Sequence, residues 1–209
     1  LIQAISKKMG LEDKEYLKKK YFLEELKRLK TDHVDLLQFH WPVTDYYIET
    51  WLVMEKMLKK GYCTTLGVAN CHQHHLEAII DAGTIVPAIN QVEITPLFTQ
   101  KTLITYCQKK GIAVQAYSPI ARHDTRLFVL PALKQIARNH NKSAVQVVLR
   151  WHIQNNCIPI VRSSNVERLK ENIDIFDFEL SKEEMATIDG FNINARVRYD
   201  PDNCDFSVL

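Results

Sequence analysis

Three times along this chain an amphipathic segment, a glycine and a short apolar run follow one another, and that rhythm limits the architectures open to it. Tyr47, Trp51, Met54 and Leu58 recur at helical spacing, Gly61 is placed to stop that helix with a left-handed cap, and residues 64–68 form the next apolar run. Leu76, Ile79 and Ile80 precede Gly83 and the run 88–93, and Leu103, Ile104 and Cys107 precede Gly111 and the run 112–117. Upstream, Phe22, Leu26 and Leu29 mark one apolar stripe of a helix over 15–29, followed directly by a strand ending at His40. Residues 1–6 read as a further short strand, and residues 158–161 as the last. Two capping boxes, Ser143 with Gln146 and Ser164 with Glu167, open helices on either side of that last strand, and a final amphipathic segment opens at Ser181.

Strands alternating with helices at this spacing imply parallel βαβ units. An open, doubly wound nucleotide-binding sheet carries a glycine-rich phosphate loop after its first strand, and neither G-x-G-x-x-G nor G-x-x-x-x-G-K-[ST] occurs here. The expected fold class is therefore α/β, a closed (β/α)8 TIM-type barrel, with residues 1–209 forming a single domain. About six strands are countable where such a barrel has eight and ~250 residues. The chain thus reads as a barrel from about the third strand onward, with about the first two βα units expected ahead of Leu1.

Composition removes several classes of function. Lys and Arg number 27 against 25 Asp and Glu, so no bulk field draws nucleic acid or an anionic membrane. No apolar run reaches the ~18 residues of a membrane span. Five cysteines form no C-x-x-C pair and no metal spacing, which points to free thiols in a reducing cytoplasm. His72, His74 and His75 cluster at the start of a predicted helix, but no nearby carboxylate or thiolate completes a ligand pattern, so no metal is expected there.

The chemistry lies at the strand ends. Nearly every predicted strand stops in polar groups: Lys7, His40, Asn70, Gln91 with Glu93, Tyr117 with Ser118, and Arg162 with Ser163. In a barrel these ends line one mouth, the active face of the fold. Arg162 and Ser163 also precede a helix start, where unpaired N–H groups and the positive end of the helix dipole favour a phosphate, and a guanidinium adds a bidentate fork. Glu93 reads as a structural partner rather than a general base.

In order along the chain, DLLQFHWP at 35–42, GVAN at 67–70, NQVE at 90–93, AYSP at 116–119, QVVLRW at 146–151 and NIDIFDFEL at 172–180 resemble the aldo-keto reductases. The pattern is most similar to the small-reductase branch that includes prostaglandin F synthases and diketogluconate reductases. The resemblance implies NADPH-dependent reduction of an aldehyde or ketone to an alcohol by a monomeric cytoplasmic enzyme. It implies that His40 orients the substrate carbonyl, that Trp41 shapes the substrate pocket, and that Lys7 lowers the pKa of a catalytic tyrosine. Asn70 and Gln91 match the groups holding the nicotinamide carboxamide, and Tyr117 matches the ring stacked on the nicotinamide. Ser118 matches the pyrophosphate site; Arg162, Ser163, Arg168 and Asn172 match the adenosine end, where a 2′-phosphate marks NADPH.

The departures from the family are equally specific. The family's proton-donating tyrosine and its aspartate belong to the first two βα units, and Tyr16 and Tyr21, in a predicted helix, do not replace that tyrosine. Ala69 stands in place of a serine, Val161-Arg162 in place of Pro-Lys, and Cys71 in place of a phenylalanine, with no redox role expected of it. The alternative reading is a truncated, catalytically inactive barrel that binds a nucleotide or a protein partner.

Overall fold

The computed structural model describes residues 14–206. The strand expected over 1–6 and the candidate Lys7 lie outside the described residues. Two compact units divide the chain: the first runs to Gln91 and takes in Tyr106–Ile112 and the segment from Asp200, and the second comprises Val92–Thr105 and Ala113–Tyr199.

In the first unit, helix α1 (Lys14–Leu29) precedes strand β1 (Val34–Phe39), helix α2 (Tyr47–Lys59), strand β2 (Cys63–Ala69), helix α3 (Gln73–Ala82) and the part of strand β3 (Ile89–Glu93) that runs to Gln91. The three strands are parallel, with Val34 opposite Cys63, Phe39 opposite Val68, and Ala69 opposite Gln91. Trp51, Met54, Leu66, Val68, Leu76 and Ile79 form the core between helices and strands. Burying side chains of this size contributes roughly 1.5–3 kcal/mol each. Phe22 and Leu26 of α1 are buried, but Leu29 is 64% exposed, so the apolar stripe ends one turn earlier than its spacing predicts.

The glycines that end the helices act differently. Gly61 and Gly111 have φ of 76° and 72°, the left-handed conformation that only glycine adopts without strain, and Gly61 donates to the Leu58 carbonyl at 2.9 Å. Gly83 has φ of −95° and is needed for space instead: a Cβ there would sit 2.6 Å from Glu55 Oε1 and 2.7 Å from Trp51 Nε1. Glu55 reaches out of α2 to accept from Thr84 N at 2.7 Å, Thr84 Oγ1 at 2.9 Å and Ile85 N at 2.8 Å, tying the α3–β3 loop to the neighbouring helix.

Helix α4 (Lys101–Lys109) leads to strand β4 (Ala113–Tyr117). In the second unit β4 pairs in parallel with β5 (Cys157–Ile160), Tyr117 standing opposite Ile160. Helices α5 (Pro131–Asn139) and α6 (Ala144–Gln154) separate the two strands, and α7 (Val166–Ile173) and α8 (Lys182–Asp189) follow. The Ser143–Gln146 capping box is complete, each side chain bonded to the other residue's backbone N–H at 3.2 and 2.9 Å. Ser181 and Glu184 form a second one. The box expected from Ser164 and Glu167 does not form. Asn165 caps α7 instead, its Oδ1 accepting from Glu167 N at 2.9 Å and Arg168 N at 3.2 Å, because the amide oxygen reaches both orphan donors.

Leu133, Val147, Leu149, Trp151 and Ile188 fill the second core. The indole of Trp151 donates to Asp189 Oδ1 at 3.0 Å, and His152, fully buried, bonds the Pro119 carbonyl through Nε2 at 3.1 Å. Ile158 and Ile160 of β5 are 48% and 41% exposed, so this apolar run is not covered on both faces by the described residues.

Burial depresses the His152 pKa to about 4, with the Pro119 hydrogen bond working weakly against it. The folded value lies below the unfolded one of about 6.5, so the fold favours the neutral ring and stability is lost as pH falls from about 6.5 to about 4. Between pH 7 and pH 4.5 that loss amounts to about 2–3 kcal/mol in urea denaturation, and His152→Asn removes this share of the acid limb. Gly83→Ala lowers stability by about 1–3 kcal/mol at pH 7 in the same assay, because the new methyl displaces the Glu55 carboxylate or the Trp51 ring.

Candidate active site at the strand tips

In the first unit, Asn70 joins three strand ends. It follows β2 with φ of 58°, a left-handed conformation that asparagine tolerates better than most residues. Its backbone N–H donates to the Gln91 carbonyl on β3 at 2.8 Å, and its Nδ2 donates to the His40 carbonyl beyond β1 at 2.8 Å. The structure thus brings His40, Asn70 and Gln91 together, as the strand-end pattern predicts. His40 is exposed, while Trp41 beside it is buried, with ring centroids 5.8 Å apart. Trp41 also meets Phe206 edge-on at 6.3 Å, so an aromatic residue of the tail adjoins the tip of β1.

One residue beneath this tip was not singled out by the strand-end reading. Asn90 is fully buried; its Nδ2 donates to the Cys71 carbonyl at 2.9 Å and its Oδ1 accepts from Cys71 N at 3.4 Å, which fixes the backbone just after Asn70. Its signal in the sequence is an asparagine inside an apolar strand, a position that demands hydrogen-bond partners. Burial holds the Cys71 thiol well above its ordinary range and raises that of Cys107 to about 11, so neither is a ready nucleophile.

In the second unit, Tyr117 closes β4 and Ser118 follows with φ of 50°. Ala121, Arg122 and His123 continue in the left-handed region, with φ of 48°, 52° and 59°. Each such residue costs on the order of 1–2 kcal/mol, a local strain that the surrounding unit must offset. Tyr117 is half-buried, and burial together with the Glu93 carboxylate pushes its phenol far above the usual tyrosine value, Arg196, Arg198 and Arg122 pulling it partly back. Its ring stays neutral at any physiological pH. Glu93 accepts from Val197 N at 2.6 Å and Arg198 N at 2.8 Å, so both oxygens hold the backbone of the chain's last stretch, and it is a clamp.

Beyond β5, Arg162 is exposed and Ser163 turns inward on its own loop, its Oγ accepting from Asn165 N at 3.0 Å and donating to Asn165 O at 3.2 Å. Arg168 lies in the first turn of α7 and Asn172 in its last. Neither Arg162 nor Arg168 pairs with a carboxylate among the described residues, whereas Arg126, Lys142 and Arg150 all do. A guanidinium group near a helix N-terminus is suited to binding an anion. Asn165 already occupies two of the N–H groups there.

Comparison with known proteins gives a consistent result. The sequence pattern described as the Aldo/keto reductase family matches residues 5–193. An uncharacterized oxidoreductase of Bacillus subtilis (strain 168) is 45% identical over 185 residues, covering 88% of this chain and 65% of the relative. A glyoxal reductase of the same organism is 44% identical, covering 88% and 66%. The crystal structure of a Bombyx mori aldo-keto reductase in complex with NADP superposes with a TM-score of 0.78 at 36% identity, covering 87% of this chain and 64% of that one. The chain therefore spans about two thirds of the length of the curated relatives it matches. Together with the parallel strands and alternating helices, these likenesses establish the fold class as α/β of the (β/α)8 type.

The Glu93 clamp is testable apart from any activity. Glu93→Ala leaves two backbone N–H groups without their charged acceptor and lowers stability by about 2–4 kcal/mol in urea denaturation. Hydrogen exchange at 197–198 accelerates more than in the β4–β5 ladder; equal acceleration of both means that Glu93 supports the whole unit rather than this segment.

Proposed function

The chain belongs to the aldo/keto reductase family, and we propose that it serves NADPH-dependent reduction of an aldehyde or ketone to the alcohol. The observation that carries this reading is the placement of His40, Asn70, Tyr117 and Arg162 at or just past the ends of parallel strands, with Gln91 inside β3 opposite Ala69, in the order of the family's motifs. Two likenesses support it: a glyoxal reductase reduces a small carbonyl compound by its name, and the Bombyx mori protein was crystallised with NADP. A single family match from residue 5 to residue 193 supports treating the chain as one domain.

The hydride is supplied by the nicotinamide when NADPH is bound. His40 donates a hydrogen bond to the carbonyl oxygen of the substrate and fixes its orientation, and Trp41 walls the pocket beside it. Asn70 and Gln91 take the carboxamide. The Asn70 side chain also bonds the His40 carbonyl through Nδ2, so one residue ties the cofactor position to the backbone of the carbonyl-orienting residue. Tyr117, kept neutral, offers a ring face for stacking, and Ser118 a hydroxyl for the pyrophosphate. Arg162 and Arg168 hold the 2′-phosphate, with Ser163 and Asn172 completing the adenosine end. Ser6-Lys7 supplies the cation that lowers the pKa of the family's tyrosine.

Among the described residues no helix is long and apolar enough to cross a membrane. We place the protein in the cytoplasm as a monomer, a reading supported by its five free cysteines, four of them buried.

Titration with NADPH quenches tryptophan fluorescence to saturation. Arg162→Ala raises the NADPH Kd roughly tenfold or more while changing that of NADH by less than about threefold, since charge-assisted hydrogen bonds contribute about 1.5–3 kcal/mol. A variant that keeps its preference for NADPH overturns the phosphate assignment. Carbonyl-dependent NADPH oxidation separates the reductase from the binding-only reading: saturable quenching without turnover favours the latter.

A further inference from the structure

The three histidines at the head of α3 are joined by a carboxylate that lies far away in sequence. Asp202, in the tail, brings Oδ2 within 2.9 Å of His72 Nδ1 and Oδ1 within 3.1 Å of His74 Nε2 and 3.4 Å of His75 Nε2. One ligand atom from each of the four residues lies within 4.8 Å of all the others. A tetrahedral zinc site with bonds near 2.0–2.1 Å has ligand edges of ~3.4 Å, so small side-chain rotations bring these atoms onto a common centre.

We propose that His72, His74 and Asp202 form a binding site for a divalent transition cation of the zinc class. Imidazole nitrogens with a carboxylate select such ions over magnesium or calcium, which require oxygen ligands. His75 has a different task. Its Nδ1 accepts from the His72 backbone N–H at 3.2 Å, so the neutral ring carries its proton on Nε2 and points it at Asp202 Oδ1. It steadies the ligating carboxylate rather than ligating, and the fourth position is left to water.

The electrostatics are compatible with this. Asp200 adds a second negative charge near the site. A bound cation joins the tail to the head of α3, and the same tail carries Phe206, which packs on Trp41. Metal occupancy therefore orders the segment that adjoins the proposed substrate pocket.

The test is an equilibrium titration of the untagged chain with Zn²⁺ at pH 7.5, without NADPH, followed by calorimetry, together with the absorption spectrum of the Co²⁺ form. One cation per chain is expected, with a cobalt spectrum of nitrogen and oxygen donors. His74→Ala and Asp202→Asn each weaken binding roughly tenfold to a hundredfold. His74 is exposed, so its loss leaves the fold intact, which circular dichroism verifies. Zn²⁺ binding unchanged in His74→Ala, stoichiometric binding absent from the parent chain, or a thiolate charge-transfer band implicating Cys204 would each overturn the proposal. Because the readout is metal uptake alone, its failure is separate from any failure of the reductase reading.

Discussion

The hydrogen bonds of Asn70 hold the ends of β1, β2 and β3 at one level, and the candidate site in the first unit depends on that. A parallel ladder fixes the register of its strands but leaves the turn after each strand free to leave in any direction. Asn70 removes this freedom by donating to the His40 carbonyl with its side chain and to the Gln91 carbonyl with its backbone. The left-handed φ it adopts is what lets one residue serve both neighbours. An asparagine there is therefore structural before it is anything else, and its proposed cofactor role is added to a side chain that already serves the scaffold.

The same economy appears in the buried polar groups. Asn90, Glu93 and Glu55 each satisfy several backbone groups of a loop that would otherwise be free: those of Cys71, of residues 197–198 and of residues 84–85. A buried carboxylate is tolerable only when such donors compensate its lost hydration. These residues lie among the site residues in sequence, yet their hydrogen bonds are spent on the scaffold. Binding is assigned instead to His40, exposed at the solvent edge, and to the two guanidinium groups near α7, which pair with no carboxylate among the described residues.

Much of the local structure could be read directly from residue pattern. Strand and helix positions follow from spacing because a side chain's period selects the backbone, and Gly61 and Gly111 fall where a left-handed φ is required. The one misplaced cap has an equally local cause. Ser164 was the better-matched cap by motif, but Asn165 has a longer side chain that reaches two amides at once. Gly83 stops its helix as the spacing predicts, but by space rather than by a left-handed φ: its Cβ would sit 2.6 Å from Glu55 Oε1.

The sequence by itself determined the alternation of strand and helix, the family, and the list of polar residues at strand ends, because each of these depends on residues close together in the chain. Tertiary structure decided which of those residues have partners. It committed Glu93 to the backbone of 197–198 and brought Asp202 onto a histidine cluster 127 to 130 residues away. No spacing rule reaches across such distances: proximity there is set by where the tail packs, and that is decided by the shape of the folded surface.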